Sequence, residues 1–312
     1  MAATAFLFPG QGSQTVGMAT AIAAESRTAK DILSEIDDAL DFKLSALMAD
    51  GPAEELQLTQ NAQPALFASS LCTLRVLQEQ TGQTIDDLCA FTAGHSLGEY
   101  SALCAAGSLG IAETARLLRL RGQSMQQAVP VSEGAMAALI GADLALAEEI
   151  ADAAGDAGLV QIANDNADGQ IVLSGASNGI EKAMEIAKEK GLRRVVKLPV
   201  SAPFHCQMMA PAADVMAKAL AEIDIKDAQV PVVQNVTVKP ETSASVLREN
   251  LITQVTGRVR WRETMACFVE AGVTDFVELG TGKVLSGLAK RAAPDAQIHT
   301  LDTLDDIRAY LG

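Results

Sequence analysis

Aromatic side chains are scarce in this 312-residue chain: they make up 4% of it, with one Trp and two Tyr. That leaves little for a surface on which the bases of single-stranded nucleic acid would stack. Positive charge is short as well. Lys and Arg number 24 against 39 Asp and Glu, a net charge of −15, which is the wrong sign for broad phosphate-backbone binding. No apolar run approaches the ~20 residues of a membrane helix. The opening MAATAFLFPGQGSQ lacks a basic stretch, and its apolar run is too short for a secretory signal. The five Cys (Cys72, Cys89, Cys104, Cys206 and Cys267) are odd in number and form no CxxC. They read as reduced thiols of a cytoplasmic protein, with neither a disulfide framework nor a zinc site. Only three His are present, which narrows the choice of a catalytic base.

What is abundant is apolar: 49% hydrophobic against 20% charged residues, enough to bury a sizeable core and to exclude wholesale disorder. TAFLFPG is an apolar run stopped by Pro9-Gly10 and predicts a buried strand, and LCAFTAGHS predicts a second. Helical patterns cover about Met18 to Leu40, Ala65 to Glu79 (after Gln60 to Pro64), LGEYSALCAAG, and Ile111 to Gln127. Buried strands alternating with helices indicate an α/β fold with a parallel sheet. From about Gly134 to Val200 the order changes to β-α-β-β-α-β, the ferredoxin-like arrangement. The α/β patterning then resumes: a helix near Ala210–Ile223, strand VPVVQNV, a helix over Asn250–Gly272 broken near Gly257, strand DFVELG and helix Lys283–Ala292. The expected organisation is a discontinuous large domain, 1–130 with 199–312, and a small domain at 131–198 inserted into it.

Gly94-His95-Ser96-Leu97-Gly98 is G-x-S-x-G. Alone it says little, since roughly one chain in ten of this length carries it by chance. Its setting says more: an apolar strand precedes it and a helix follows, as a nucleophile elbow requires. Ser96 would then present its hydroxyl at the sheet edge, with the Leu97 N–H aimed at a developing oxyanion. The alternative is a Ser that caps a helix. A Ser nucleophile needs a base. His95 adjoins it and would point away at a sharp turn, and His299 sits in the strand-like AQIHTL. His205 lies in an irregular segment where the insert rejoins the large domain, and loops at such junctions line clefts. Elimination favours His205, a satisfied buried His being the alternative.

Phe8-Pro9-Gly10-Gln11-Gly12-Ser13-Gln14 is a glycine-bearing turn after the first strand. Its backbone N–H groups are candidates for a second oxyanion donor. It is neither a P-loop nor a dinucleotide fingerprint, because no Gly-Lys-Ser/Thr follows and G-x-G-x-x-G fails at Thr15. On a helical wheel Ile111, Ala115, Leu118, Gly122 and Met125 form a packing stripe, with Arg121 at its flank and Arg116 opposite. An Arg at a core boundary has either an acidic partner or an anionic ligand. The sequence leaves both open.

Assembled, these motifs resemble the malonyl-CoA:acyl carrier protein transacylase family and the related acyltransferase domains of fatty acid and polyketide synthases. The resemblance spans essentially the whole chain. It rests on Phe8 to Gln14, Gly94-His-Ser-Leu-Gly-Glu99, Arg119-Leu-Arg-Gly-Gln123, Ala202-Pro-Phe-His205, Gln254-Val-Thr, Val259-Arg-Trp261, and Glu278-Leu-Gly-Thr-Gly-Lys-Val-Leu285. The resemblance implies an α/β-hydrolase-like large domain with a ferredoxin-like insert. It implies Ser96 as the malonylated nucleophile, His205 as base, Gln11 and Leu97 as oxyanion donors, and Arg121 as a bidentate partner of the malonate carboxylate. Gln254 would orient His205 through its carbonyl, and Asn164 would line the cleft from the insert. Phe204 suits the malonyl-selective members. Two positions depart from the family: Cys206 stands where many relatives have Ser, and Asp165 where an aromatic or bulky residue is commoner.

The implied reaction is transfer of malonyl from malonyl-CoA to the phosphopantetheine thiol of an acyl carrier protein, for fatty acid synthesis. It needs no cofactor and no metal, and the resemblance suggests a monomer. The competing readings are a serine thioesterase or esterase, a trans-acting acyltransferase of polyketide synthesis, and a non-catalytic scaffold. Carriers of this kind are acidic, so a chain of net charge −15 needs a local basic patch to meet one. Candidates are Lys190 and Arg193, among Lys188, Arg194 and Lys197, and Lys283 and Lys290, beside Arg291, with Arg258, Arg260 and Arg262 between them.

Overall fold

The computed structural model describes residues 3–312; Met1 and Ala2, which the first expected segment includes, lie outside the described residues. Its strands, in chain order, are β1 (Ala3–Phe8), β2 (Phe91–Gly94), β3 (Gly134–Ile140), β4 (Val160–Ala167), β5 (Gln170–Ala176), β6 (Arg194–Lys197), β7 (Val232–Val233), β8 (Pro240–Glu241), β9 (Val273–Leu279) and β10 (Gln297–Leu301). Six of them form one sheet in the order β10-β9-β1-β2-β7-β8. It is parallel from β10 to β7, with β8 added antiparallel at the edge. The chain is therefore an α/β protein built on a parallel sheet.

β1 shows why the sheet is buried on both faces. Side chains alternate along a strand: Phe6 and Phe8 enter one hydrophobic core, Ala5 and Leu7 another. A continuous apolar run is what a strand covered on both sides requires.

The remaining four strands form an antiparallel sheet in the order β4-β5-β3-β6. Here alternation separates two destinations. Ala135, Ala137 and Leu139 of β3 pack into a local core, and Met136 turns instead into the core of the large sheet. The helices Leu144–Ala154 and Ser177–Glu189 cover the local face. The opposite face of this sheet thus forms one wall of a cleft.

Several helices differ from the sequence expectation. The one expected to begin at Ala65 runs from Thr59 to Thr81 with Pro64 inside it. Tertiary packing overrides the proline. Asn61 and Gln63 are buried and hydrogen-bonded by Arg119 and Arg121 of the helix Ile111–Gln127. Gly122 lets that helix close in, since a Cβ there would lie 2.5 Å from Gln60 Cα. The Met18–Leu40 pattern resolves into Thr20–Glu25 and Arg27–Leu40, split at Ser26, whose side chain accepts from the Ala29 N–H. The pattern around Asn250–Gly272 is two helices, Ala244–Gln254 and Trp261–Glu270. Between them Val259 bridges to Asn164 of β4. The strand expected in VPVVQNV shrinks to Val232–Val233. The C-terminal helix Leu304–Leu311 was not anticipated, although Thr303 and Asp306 form a capping box at its start. No described helix is long and apolar enough to cross a membrane.

Candidate active site

Gly94 ends β2, and Gly98 starts the helix Gly98–Ala105. Between them Ser96 has a φ of 54°, the left-handed region that costs a non-glycine residue energy. The two glycines serve close approach. A Cβ on Gly94 would lie 1.9 Å from the Gly98 carbonyl, and one on Gly98 would lie 2.2 Å from Phe8 O. Packing of β1, β2 and the helix thus forces the strain onto Ser96, whose hydroxyl is held at the sheet edge.

Ser96 Oγ lies 2.8 Å from His205 Nε2. On the far side of the ring, Nδ1 is 3.0 Å from Gln254 O and 3.1 Å from Gly257 O. Carbonyl oxygens only accept, so Nδ1 carries the hydrogen and Nε2 presents its lone pair to the serine hydroxyl. Two backbone carbonyls thus do the orienting that a carboxylate does in a Ser-His-Asp triad. Burial, and then the Arg121 charge, push the His205 pKa down to about 3, so the imidazole is neutral and able to accept a proton at neutral pH. The ring is reached through a tight junction. His205 itself has a φ of 58°, and Gly134 lies so close to Pro203 that a Cβ there would be 2.3 Å from the proline Cδ. His95 turns away: its Nε2 meets Asn166 Oδ1 at 2.8 Å and its ring tilts against Trp261. His299 packs edge-on against Tyr310.

Arg121 corrects the sequence expectation of a core-boundary position: it is 1% exposed. Its guanidinium donates to Gln63 Oε1 at 2.8 Å, Gln254 Oε1 at 2.9 Å and Ser96 Oγ at 3.2 Å. These partners are neutral, and Nε has none. The helix stripe is corrected too, for Thr114, Leu117 and Ser124 are buried while Ile111 is only half-buried. Gln254, wholly buried at the end of its helix, works three ways. Its carbonyl receives His205, its Oε1 receives Arg121, and its Nε2 donates to Ser96 O at 2.9 Å.

Ser96, His205, Arg121 and Gln63 share a cleft of about 410 Å³, and Gln254, expected at the substrate site, stands behind them without lining it. Gln11, Gly12 and Leu97 line it beside Ser96, and Asn164, Met136, Leu198 and Phe204 line it from the side of the antiparallel sheet. Among the described residues neither the Gln11 nor the Leu97 backbone N–H has a hydrogen-bond partner. Sequence reasoning missed Gln63 and Asn235. Both are buried amides that meet Arg121 and the Ser96 N–H respectively, and polar residues in such short apolar settings were the available signal.

Asp165 is buried and held bidentately by Arg262, at 3.0 Å to Oδ1 and 2.9 Å to Oδ2. It is engaged within the fold, and it occupies one of the candidate docking cations. Arg258 and Arg260 likewise face Glu263. Cys206 is buried with its Sγ on Pro203 O. Lys190 bonds Glu149 at 2.6 Å, and Arg193, Lys283 and Lys290 are exposed. None of these four lines the cleft.

The chain matches the family model described as acyl transferase domain over residues 5–299. It is 48% identical over 292 residues to a Bacillus subtilis protein named malonyl CoA-acyl carrier protein transacylase, covering 93% of this chain and 90% of that one. A crystal structure of acyl-carrier-protein-S-malonyltransferase from Bartonella henselae is 50% identical with a TM-score of 0.97, over 99% of this chain and 98% of that one. A complex described as a type II PKS acyl-carrier protein with its malonyl-transacylase is 39% identical with a TM-score of 0.95, over 99% of each chain.

Proposed function

The chain belongs to the acyl transferase domain family, and we propose that it carries malonyl from coenzyme A to the thiol of an acyl carrier protein in two steps through Ser96. In the first, the Ser96 hydroxyl gives its proton to His205 Nε2 as its oxygen bonds to the thioester carbonyl carbon. The oxyanion forms against the Gln11 and Leu97 N–H groups, each such donor being worth about 3–4 kcal/mol in a transition state. Collapse breaks the carbon–sulfur bond. The CoA thiolate leaves with the proton from His205, and malonyl stays as an ester on Ser96. In the second, the pantetheine thiol of the carrier gives its proton to His205 and attacks that ester, and Ser96 recovers its proton as it leaves. The thiol must outrun water, so the site has to position it and hold water off while it attacks. The CoA thioester is a substrate and the pantetheine arm belongs to the carrier, so the scheme calls for no cofactor and no metal.

One observation carries the malonyl assignment: a wholly buried Arg121 with neutral partners and an unpaired Nε stands against the nucleophile. Glu99 acts on Arg121 through space without a hydrogen bond; a buried cation with no directly bonded counter-ion is costly, and a carboxylate on the acyl group supplies one. An acyl group that ends in a methyl leaves it unpaired, which is how the site selects. A hydrolase gains little from that Arg, so it favours transfer from a dicarboxylic acyl donor. We read the parallel-sheet unit as α/β-hydrolase-like and residues 131–198 as a ferredoxin-like insert. The strand order β4-β5-β3-β6, with a helix after the first and third strands in chain order, supports the latter. The cysteines stand as free thiols, which suits the cytoplasm as its place of work.

The test is intact mass after brief incubation with malonyl-CoA, then addition of holo carrier. An added malonyl that Ser96→Ala abolishes without loss of Tm, and that the carrier removes as malonyl-carrier, is the expected result. Release of free malonate identifies a hydrolase, and no adduct on the wild type identifies a scaffold. Either outcome overturns the proposal.

A further inference from the structure

We propose that Asn235 is a positioning residue for acyl transfer: its buried amide clamps the strained turn at Ser96, and Glu99 anchors it. The proposal deepens the two-step reading above and rests on it. Asn235 Oδ1 accepts the Ser96 N–H at 2.8 Å, and its Nδ2 donates to Gly94 O at 2.7 Å. One side chain thus spans both sides of His95 and takes the place of a strand rung where β2 has ended. The residue itself is fixed. Its N–H donates to Glu99 Oε2 at 2.7 Å, and its carbonyl accepts from the Arg260 N–H at 3.0 Å. Glu99 is wholly buried on the helix that leaves the elbow, and its other oxygen receives Gln234.

The consequence follows from peptide geometry. Ser96 joins two planar peptide units, and each plane is rigid. Asn235 holds the His95–Ser96 plane by its N–H. Gln254 holds the Ser96–Leu97 plane by its carbonyl. In a trans peptide the carbonyl and the N–H point opposite ways. Pinning Ser96 O therefore aims the Leu97 N–H at the cleft, while pinning Ser96 N fixes the direction of the Ser96 side chain. Without Asn235 the His95–Ser96 plane keeps the Gly98 N–H on its carbonyl, at 2.9 Å, but loses the hold on its N–H side that fixes the left-handed φ at Ser96. The hydroxyl and the oxyanion donor then drift relative to each other. Asn235 does not line the cleft, so it acts through Ser96 and not on substrate.

The test separates positioning from plain stability. Single-turnover acylation by saturating malonyl-CoA is measured per folded enzyme, alongside KM and Tm, in Asn235→Ala and Asn235→Asp. The alanine variant should lose roughly ten- to hundredfold in acylation rate, with KM little changed because the Arg121 pocket is intact. The aspartate variant keeps an acceptor for the Ser96 N–H but buries a carboxylate beside Glu99. It should acylate several-fold faster than the alanine variant while melting lower. Rates per folded enzyme that match wild type, or that simply follow the order of Tm, overturn the proposal. Should Asn235→Ala not fold, Asn235→Asp and Glu99→Gln carry the test, and wild-type acylation in both overturns it. A wild-type enzyme that takes up no malonyl condemns the two-step reading instead. Normal loading with indifferent Asn235 variants condemns only this one.

Discussion

The wall of the cleft built by the parallel sheet keeps its polar groups in burial, whereas the wall built by the antiparallel sheet is mostly apolar and carries its charge at the rim. On the first wall Arg121 and His205 are buried, Gln254, Glu99 and Asn235 are buried behind them, and both Ser96 and His205 have positive φ. On the second, Met136 and Leu198 face the cleft beside Asn164, and Asp165 is neutralised by Arg262. Strain and desolvation are concentrated where bonds change. The first wall bears that cost because its sheet is packed on both faces, while the second has a core of its own on one face and sends Met136, Ala163 and Val172 into the main core from the other. The comparison teaches a division of labour: covalent chemistry on one wall, shape and encounter on the other.

The sharpest way to break that division is Arg121→Ala. The charge-assisted pair with a carboxylate is worth roughly 1.5–3 kcal/mol, so malonyl loading should fall ten- to hundredfold or more, and acetyl-CoA should gain relative to malonyl-CoA. Acylation rates with the two donors decide it. Equal loss for both would make Arg121 a structural residue, and the first wall would lose its selecting role.

How much of this was legible beforehand follows the same line. The elbow was readable because glycines bracket the serine and an apolar run precedes it, and the antiparallel sheet because its strands and helices are short, local and clearly punctuated. The helix Thr59–Thr81 was not, since its first turn depends on Arg119 and Arg121 reaching Asn61 and Gln63 from far along the chain. The burial of Arg121 escaped the helical wheel for the same reason: its partners come from three separate segments. The helix Leu304–Leu311 does carry a local signal, the Thr303–Asp306 capping box at its start.

A smaller effect concerns pH. Burial and the Arg121 charge lower the pKa of His205 to about 3, so the base remains unprotonated well below the ordinary imidazole value. An unshifted histidine, with a pKa near 6.5, would lose about thirtyfold of its neutral form between pH 8 and pH 5. The expected result is that kcat/KM for malonyl-CoA, which reports the free enzyme, falls less than about threefold from His205 over that range. Burial raises the Glu99 carboxyl to about 7, so a limb near 7 that Glu99→Gln removes belongs to that group. A full acid limb near 6.5 that survives Glu99→Gln would show that the first wall does not desolvate its base.

A modest effect on carrier binding alone belongs to the rim of the second wall. The resemblance implies an acidic carrier, and this chain is itself at −15, so net charge opposes the encounter. Strand register brings the Arg193-Arg194 and Lys290-Arg291 stretches toward each other, while Lys283 stands at the far end of the Val284–Ala292 helix. Gln170, Ile140 and Arg194 lie in one row across β5, β3 and β6. Arg291, next to Lys290 at the end of the helix Val284–Ala292, donates to Gln170 at 2.9 Å. The basic ends of both units therefore meet at one end of the antiparallel sheet. Met136, which lines the cleft, is four residues from Ile140 on the same strand, or ~13 Å at strand rise. A carrier docked on that end would sit beside the cleft without entering it. Lys190→Glu with Arg193→Glu, or Lys283→Glu with Lys290→Glu, should raise the carrier KM several-fold, with little change in acylation by malonyl-CoA. The Lys190 pair should give the lesser change, because Lys190 already serves Glu149. Exposed charges act mainly on association rate, so wild-type transfer to the carrier should also slow with added salt. Carrier kinetics indifferent to both reversals and to salt would place docking elsewhere and leave the second wall with shape alone.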